Sequence, residues 1–253
     1  MRRLFYRGLL ADTIEITGED AHHLMHVMRA KPGQEVTVVD DAGQAARMAM
    51  TAFSATAVTL TLIERLDADT EPPIDITLAP CLLKGDKMEF VVQKAVELGA
   101  TRVVPLKSQN CVVRYEAKKA AQRQQRWQKI ADEACKQCGR TSLIEVAPIA
   151  ELQAFVSTVP EGACLLFCYE NETQQGIKRV LRQAAAMGVQ TFILLIGPEG
   201  GFTLAEAAAI EQAGGHSVTL GPRILRAETA AVAALTVVQY ENGDLGSNDQ
   251  RSW

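Results

Sequence analysis

This chain has no apolar stretch long enough to cross a bilayer. Its most strongly apolar run, Phe192 to Ile196, falls far short of the roughly 20 residues a membrane helix needs. Met1-Arg2-Arg3 leads into a short mixed stretch and not into the apolar core of a secretion signal, so a cytoplasmic protein with no membrane partner is expected. Six scattered cysteines lack the density of a small secreted disulfide scaffold and read as reduced thiols.

Metal-ligand patterns are missing too. Cys135-x-x-Cys138 has no second pair, falls inside a helical pattern and lacks the βαβ setting of a redox motif; Cys164 and Cys168 form the other close pair. His22 and His26 would share a helix face beside His23, but there is no third ligand and no H-E-x-x-H order. No metal is expected. The sequence also holds no Gly-Lys-Ser/Thr phosphate loop, no G-x-G-x-x-G dinucleotide turn, no repeat and no low-complexity tract.

What is present supports a globular chain. With 253 residues, 47% of them apolar and 22% charged, it can bury one large core or two modest ones. The net charge of -4 argues against a polyanionic partner until its distribution is considered. Lys84 to Arg140 holds thirteen Lys or Arg against six Asp or Glu, a net of +7, which leaves -11 on the rest. A basic middle on an acidic protein suggests one face for a polyanion, with a solvated helix surface as the plainer explanation.

From Leu4 to about Leu66 short alternating or β-branched runs dominate, notably Thr13 to Thr17, Glu35 to Asp40 and Ala57 to Leu66. They predict a small β-barrel. One helix interrupts it, about Asp20 to Arg29, with Leu24, Val27 and Met28 on one face. Asp67 to Pro73, acidic and ending in Pro-Pro, reads as a linker between a domain over 1–70 and another over 71–243, with a flexible tail over 244–253. Beyond the linker, strand and helix alternate: Ile74 to Ala79, Asp86 to Leu98, Arg102 to Leu106, Ala120 to Cys138, Cys164 to Tyr169 and Thr173 to Met187. That alternation implies a mainly parallel sheet covered by helices. Lys87 and Lys94, seven apart, share the outer side of the first of these helices.

Two glycine loops carry the chemistry. Thr191 to Ile196 is a buried strand that runs into Gly197-Pro198-Glu199-Gly200-Gly201, and Thr203 with Glu206 has the spacing of a capping box opening the next helix. Glycine at the carboxyl end of such a strand lets backbone N–H and C=O groups approach a ligand closely. Twenty residues on, the short strand Ser217 to Leu220 leads into Gly221-Pro222-Arg223-Ile224-Leu225-Arg226-Ala227-Glu228-Thr229, then a helix over Ala230 to Tyr240. Arg226 and Glu228 at a helix start suit an anion or a polar base edge, or simply a surface cap.

Together, Ile196-Gly-Pro-Glu-Gly-Gly-Phe-Thr and Leu220-Gly-Pro-Arg-Ile-Leu-Arg-Ala-Glu-Thr-Ala resemble the paired signatures of the RsmE family, the 16S ribosomal RNA uridine N3-methyltransferases of the SPOUT superfamily. The likeness extends over Lys84 to Gly99, over Arg126 to Arg140 and, near the start, over His23-Leu-Met-His-Val-Met-Arg29 with Lys31-Pro-Gly33, which is similar to the family's PUA-like RNA-binding domain. Where the family usually has an arginine in a Ser-Glu-Arg-like stretch, this chain reads Ser108-Gln109-Asn110-Cys111; Arg114 lies nearby, and Ala227 replaces a common threonine.

The resemblance implies an N-terminal PUA-like barrel and a C-terminal α/β SPOUT domain with a trefoil knot, through which the chain after Gly197 is threaded. It also implies a homodimer acting on 16S ribosomal RNA or the small ribosomal subunit, and S-adenosylmethionine (SAM) as cofactor. On this reading Leu195, Ile196, Gly197, Glu199, Gly200, Gly201, Leu220, Gly221, Ile224, Leu225, Arg226 and Ala230 hold SAM. Arg226 and Glu228 serve catalysis, and Arg29, Lys31, Lys87, Lys94, Arg126 and Lys129 bind RNA. Without the resemblance, two other classes stay open: a non-catalytic RNA-binding assembly factor, and a different α/β nucleotide-binding enzyme.

Overall fold

The computed structural model describes residues 3–67 and 70–246. The expected tail lies outside them from residue 247 on. The chain forms two compact units, one built from the described residues up to Glu71 together with Glu133–Leu143, the other from Pro72–Asp132 together with the chain from Ile144 onward.

The first unit contains β1 (Arg3–Phe5), β2 (Thr13–Thr17), α1 (Gly18–His22), β3 (Glu35–Val39), β4 (Ala45–Phe53) and β5 (Ala57–Leu66). The strands pair in the order β1-β3-β4-β5-β2. Among the described residues no pairing joins β1 to β2, so the sheet is a half-barrel and not the closed barrel expected. Ile14 and Ile16 point inward from β2 while their neighbours face out, the period-2 alternation of a half-buried strand. β4 is less obvious in sequence: its inward residues are Ala46, Met48 and Met50, none of them a strong strand former.

The predicted helix over Asp20 to Arg29 is also different. α1 stops at His22 and a π-helical turn, His23–Val27, follows, with the Met28 amide donating to the His23 carbonyl at 3.0 Å. The wider i→i+5 winding breaks the helical period, so Leu24 is buried while Val27 is 64% exposed and Met28 also faces out. Arg29 ends the turn in a left-handed conformation, φ 52°.

Glu133–Leu143 joins this unit through one carboxylate. Glu71 accepts from Arg140 Nη2 (2.5 Å), Arg140 Nε (3.1 Å), the Thr141 and Ser142 amides (2.8 and 3.1 Å) and Ser142 Oγ (2.7 Å). Burial alone would raise this carboxyl; Arg140 and Ser142 outweigh it and hold it below its ordinary value.

In the second unit β6 (Asp75–Pro80), α2 (Lys87–Glu97), β7 (Arg102–Val103), β8 (Leu106–Lys107), α3 (Ala117–Cys138), β9 (Glu145–Val146), β10 (Ala150–Glu151) and α4 (Leu152–Val156) come first. β11 (Cys164–Cys168), α5 (Ile177–Ala186), β12 (Thr191–Ile196), α6 (Leu204–Gln212), β13 (His216–Val218) and α7 (Ala227–Glu241) follow. Six strands form one sheet in the order β13-β11-β12-β6-β7-β9, and every pairing in it is parallel. This is the α/β architecture the alternation implies. β12 lies between β11 and β6 with Phe192 to Ile196 all buried, as expected of a strand covered on both faces.

Local chemistry shifts several boundaries. The expected strand Arg102 to Leu106 is split before Pro105, which has no N–H for a ladder; β7 pairs with β6 and β9, and β8 pairs with β10. The helix expected from Thr173 starts at Ile177, because Glu172 instead gathers the Gln174 and Gln175 amides at 2.7 and 2.9 Å and Ser217 Oγ at 2.9 Å. α7 begins three residues before the expected Ala230 and reaches back to α2: the buried Gln239 donates through Nε2 to the Leu98 and Gly99 carbonyls at 3.1 and 3.0 Å, satisfying the end of that helix. Gly99 has φ +78°, and a Cβ there would collide with Gln239. Among the described residues no helix is long and apolar enough to cross a membrane.

Candidate functional site

Because β6, β11, β12 and β13 are parallel, the loops that follow them leave the same end of the sheet. Open α/β sheets bind ligands at that carboxyl end. The two glycine loops are the ones after β12 and β13.

The first loop is braced on several sides. Asn110 Nδ2 donates to the Gly200 and Gly201 carbonyls at 3.0 and 3.1 Å. Gly201, with φ +67°, lies so close to the Glu170 carboxylate that a Cβ would overlap it. The ring of Phe202 lies against Gly197, 3.3 Å from where a Cβ would be, and meets Phe167 edge-on at 6.1 Å. The predicted capping box is present: Thr203 Oγ1 accepts from the Glu206 amide at 3.2 Å, and Glu206 Oε2 accepts from the Thr203 amide at 2.9 Å. The other oxygen, Glu206 Oε1, accepts from the Gln109 amide at 2.7 Å. Gln109 and Asn110, which in sequence only marked a departure from the family's pattern, are therefore the brace of the first loop.

Glu199 looks out from this loop toward α2. Its Oε1 accepts from the Lys84 amide at 3.2 Å and from Lys87 Nζ at 3.1 Å, and the same Nζ lies 3.4 Å from Glu228 Oε2 in the first turn of α7. Burial works to raise the Glu199 carboxyl, but its own amide, the Lys84 amide and Lys87 bring it below its ordinary value. Glu199 correspondingly raises Lys87, with Glu228 adding to the effect. Glu228 also faces the positive end of the α7 dipole.

The second loop is open by comparison. Thr219 Oγ1 bonds both the Gly221 amide (3.2 Å) and its carbonyl (2.9 Å). Gly221 has φ +135°, and a Cβ added there would meet nothing within 4 Å. Gly221, Pro222, Arg223, Ile224 and Arg226 are exposed, Ile224 at 87%, while Leu220 and Leu225 are half-buried. Arg226 is the N-cap of α7 in extended geometry and its side chain makes no ion pair among the described residues. Its carbonyl accepts from the Ala230 amide at 2.8 Å.

Of the residues singled out in sequence, Leu195 and Ile196 are buried at the end of β12, Ala230 is buried on α7, and Glu199 and Glu228 meet through Lys87. The cations expected on RNA are dispersed. Lys94 pairs with Glu97 at 2.7 Å, Arg126 with Glu89 at 2.7 Å, and Lys129 is exposed with no ion pair among the described residues. Arg29 and Lys31 are exposed in the first unit. Tyr115 was not anticipated: Lys119 and Arg123 lie 5.6 and 5.7 Å from its ring centre, and only the density of cations in this stretch hinted at them.

Known proteins agree with this architecture. A profile described as an RNA methyltransferase domain matches residues 70–239, and one described as an RNA methyltransferase PUA domain matches residues 16–63. The chain is 34% identical over 233 residues to the ribosomal RNA small subunit methyltransferase E of Bacillus subtilis, covering 91% of each protein. The crystal structure of a ribosomal RNA small subunit methyltransferase E from Neisseria gonorrhoeae bound to SAM superposes with a TM-score of 0.87 at 32% identity, covering 97% of this chain and 99% of that one. A putative methyltransferase from Legionella pneumophila in complex with SAM gives 0.79 at 29% identity, covering 94% and 96%. This chain belongs to the ribosomal RNA small subunit methyltransferase E family.

Proposed function

We propose that this protein methylates N3 of one uridine in 16S ribosomal RNA, with SAM bound between the two glycine loops. The observation that carries the site assignment is the Glu199–Lys87–Glu228 bridge, which ties the loop after β12 to the helix that follows the loop after β13. The residues fit a cationic donor with a polar amino-acid end. Two carboxylates face one lysine, leaving net negative charge, and the open side of Gly221 is a place where any side chain would fill the cradle.

When bound, SAM supplies an electrophilic methyl group on a sulfonium. The protein has to present the uracil edge in line and favour loss of the N3 proton. Arg226, permanently charged, exposed and free of ion pairs among the described residues, stabilises the negative charge that spreads onto the uracil carbonyl oxygens. Glu228 and Glu199 orient polar groups of donor or base. Leu195, Ile196, Leu220, Ile224, Leu225 and Ala230 supply apolar walls, and Gly197, Gly200, Gly201 and Gly221 supply close backbone approach.

RNA is held electrostatically by Lys94, Arg126 and Lys129 and by Arg29 and Lys31 of the PUA-like unit. The active form is a homodimer, and the C-terminal domain carries the SPOUT trefoil knot. Mass mapping of ribosomal RNA from cells with and without the protein tests the function. One 16S uridine should lose a methyl group at N3 when the protein is removed, and an unchanged 16S map would refute the assignment.

A further inference from the structure

Lys87 is the first residue of α2, directly after the loop whose Lys84 amide also holds Glu199. Its Nζ has one carboxylate at 3.1 Å from the first glycine loop and another at 3.4 Å from the helix behind the second. The two contacts differ in kind. Glu199 is also served by a backbone amide, so it keeps a partner without the lysine. Glu228 Oε2 is shielded from water and has no hydrogen bond of good geometry, so Lys87 is the cation that offsets its charge. A shielded carboxylate that loses its counter-ion costs more than an exposed pair gains, because nothing replaces the lost solvation. Without Lys87, Glu199 and Glu228 would repel across the gap between the loops.

We infer that Lys87 is a positioning residue for the methyl donor, setting the separation and charge of the two glycine loops, and not a phosphate contact. The inference rests on the donor reading of the site. A lysine engaged by two carboxylates is poorly placed to release counterions from RNA, so its contribution belongs to donor affinity and to the spacing of Glu199 and Glu228.

The test uses the full chain and three readouts: SAM affinity by calorimetry, the salt dependence of RNA binding, and melting temperature. Lys87→Gln should weaken SAM binding about tenfold, while the slope of RNA affinity against salt stays at the wild-type value. A lost phosphate contact would instead reduce that slope by about 0.7. Lys87→Arg should recover most of the SAM affinity, since it keeps the charge between the carboxylates; a structural role at the start of α2 would not require charge. Adding Glu228→Gln to Lys87→Gln should cost less than the sum of the single changes, because the stranded carboxylate is gone. A wild-type chain that fails to bind SAM overturns the donor reading and this inference with it. If wild type binds SAM and Lys87→Gln binds equally well, or if Lys87→Gln loses salt slope in place of SAM affinity, the Lys87 inference alone is overturned.

Discussion

The two glycine loops are similar in composition and opposite in mechanical situation. The loop after β12 is fixed before any ligand arrives: Asn110 holds two of its carbonyls, Glu206 ties its exit to Gln109, and Glu199 is held by Lys84 and Lys87. The loop after β13 has its local Thr219 turn and the Glu228 anchor, and most of its residues from Gly221 to Arg226 face solvent. One half of the site is preorganised and the other is left to be ordered by what binds. Preorganisation saves ordering cost, whereas an open loop admits a bulky substrate before it closes.

The most severe way to sharpen this contrast is to remove Arg226. If the open loop carries the group that acts on the uracil, Arg226→Ala should slow single-turnover methylation roughly 100- to 1000-fold, a loss of about 3 to 4 kcal/mol of transition-state stabilisation. SAM affinity and melting temperature should stay near wild type. Arg226→Lys separates charge from geometry: it retains much of the rate if charge suffices and fails like alanine if the planar fork is needed. Near wild-type rates for Arg226→Ala at saturating SAM and RNA would make it a structural residue.

The glycines divide the loops next. At Gly200 a Cβ meets Asn110 Cβ at 3.2 Å, so Gly200→Val disturbs the brace and should lower both melting temperature and SAM affinity. At Gly221 the space is open but φ is +135°, so Gly221→Val strains an exposed loop. SAM affinity should fall about tenfold or more there, with a smaller change in melting temperature. Calorimetry and thermal melts on both variants check this, and equal melting losses would erase the contrast.

Much of the donor half was legible because its signals are local. A run such as Phe192 to Ile196 ending in Gly-Pro-Glu-Gly-Gly announces a buried strand and a close-approach loop, and Thr203 with Glu206 announces the cap, all within sixteen residues. What was not legible is long-range. Asn110 is 90 residues from the carbonyl it braces and Lys87 112 from Glu199, and a charged side chain does not state which partner it will meet. Lys87 and Lys94 looked equivalent at heptad spacing, yet one enters the site and the other pairs with Glu97 on its own helix. β4 escaped because alanine and methionine carry little strand preference, and the π-turn because one extra residue per turn leaves no signature in the alternation around it.

The basic helix supplies a smaller effect. Replacing Lys94, Arg126 and Lys129 with glutamine should weaken RNA binding and flatten its salt slope by about 2, at about 0.7 per contact, with SAM binding intact. Lys129, exposed and without an ion pair among the described residues, should account for the largest single share. Unchanged slopes would move RNA binding to Arg29 and Lys31.

The smallest effect is on acid stability. Glu199 has a folded value below the ordinary carboxylate range, so its contribution is present above that range and is lost as pH falls through the folded value. Glu199→Gln should therefore melt below wild type at pH 7, by about 2 to 4 °C for each kcal/mol removed. The gap should close as pH falls below about 4. A gap that persists in acid would mean that Glu199 acts through shape and not charge.

Amide hydrogen exchange with and without SAM tests the account most directly. SAM should strongly slow exchange from Thr219 to Ala230, where the loop is open, and slow it much less from Gly197 to Glu206, which is already braced. SAM-dependent protection elsewhere in the chain, or none in either loop, would contradict a donor site built between them.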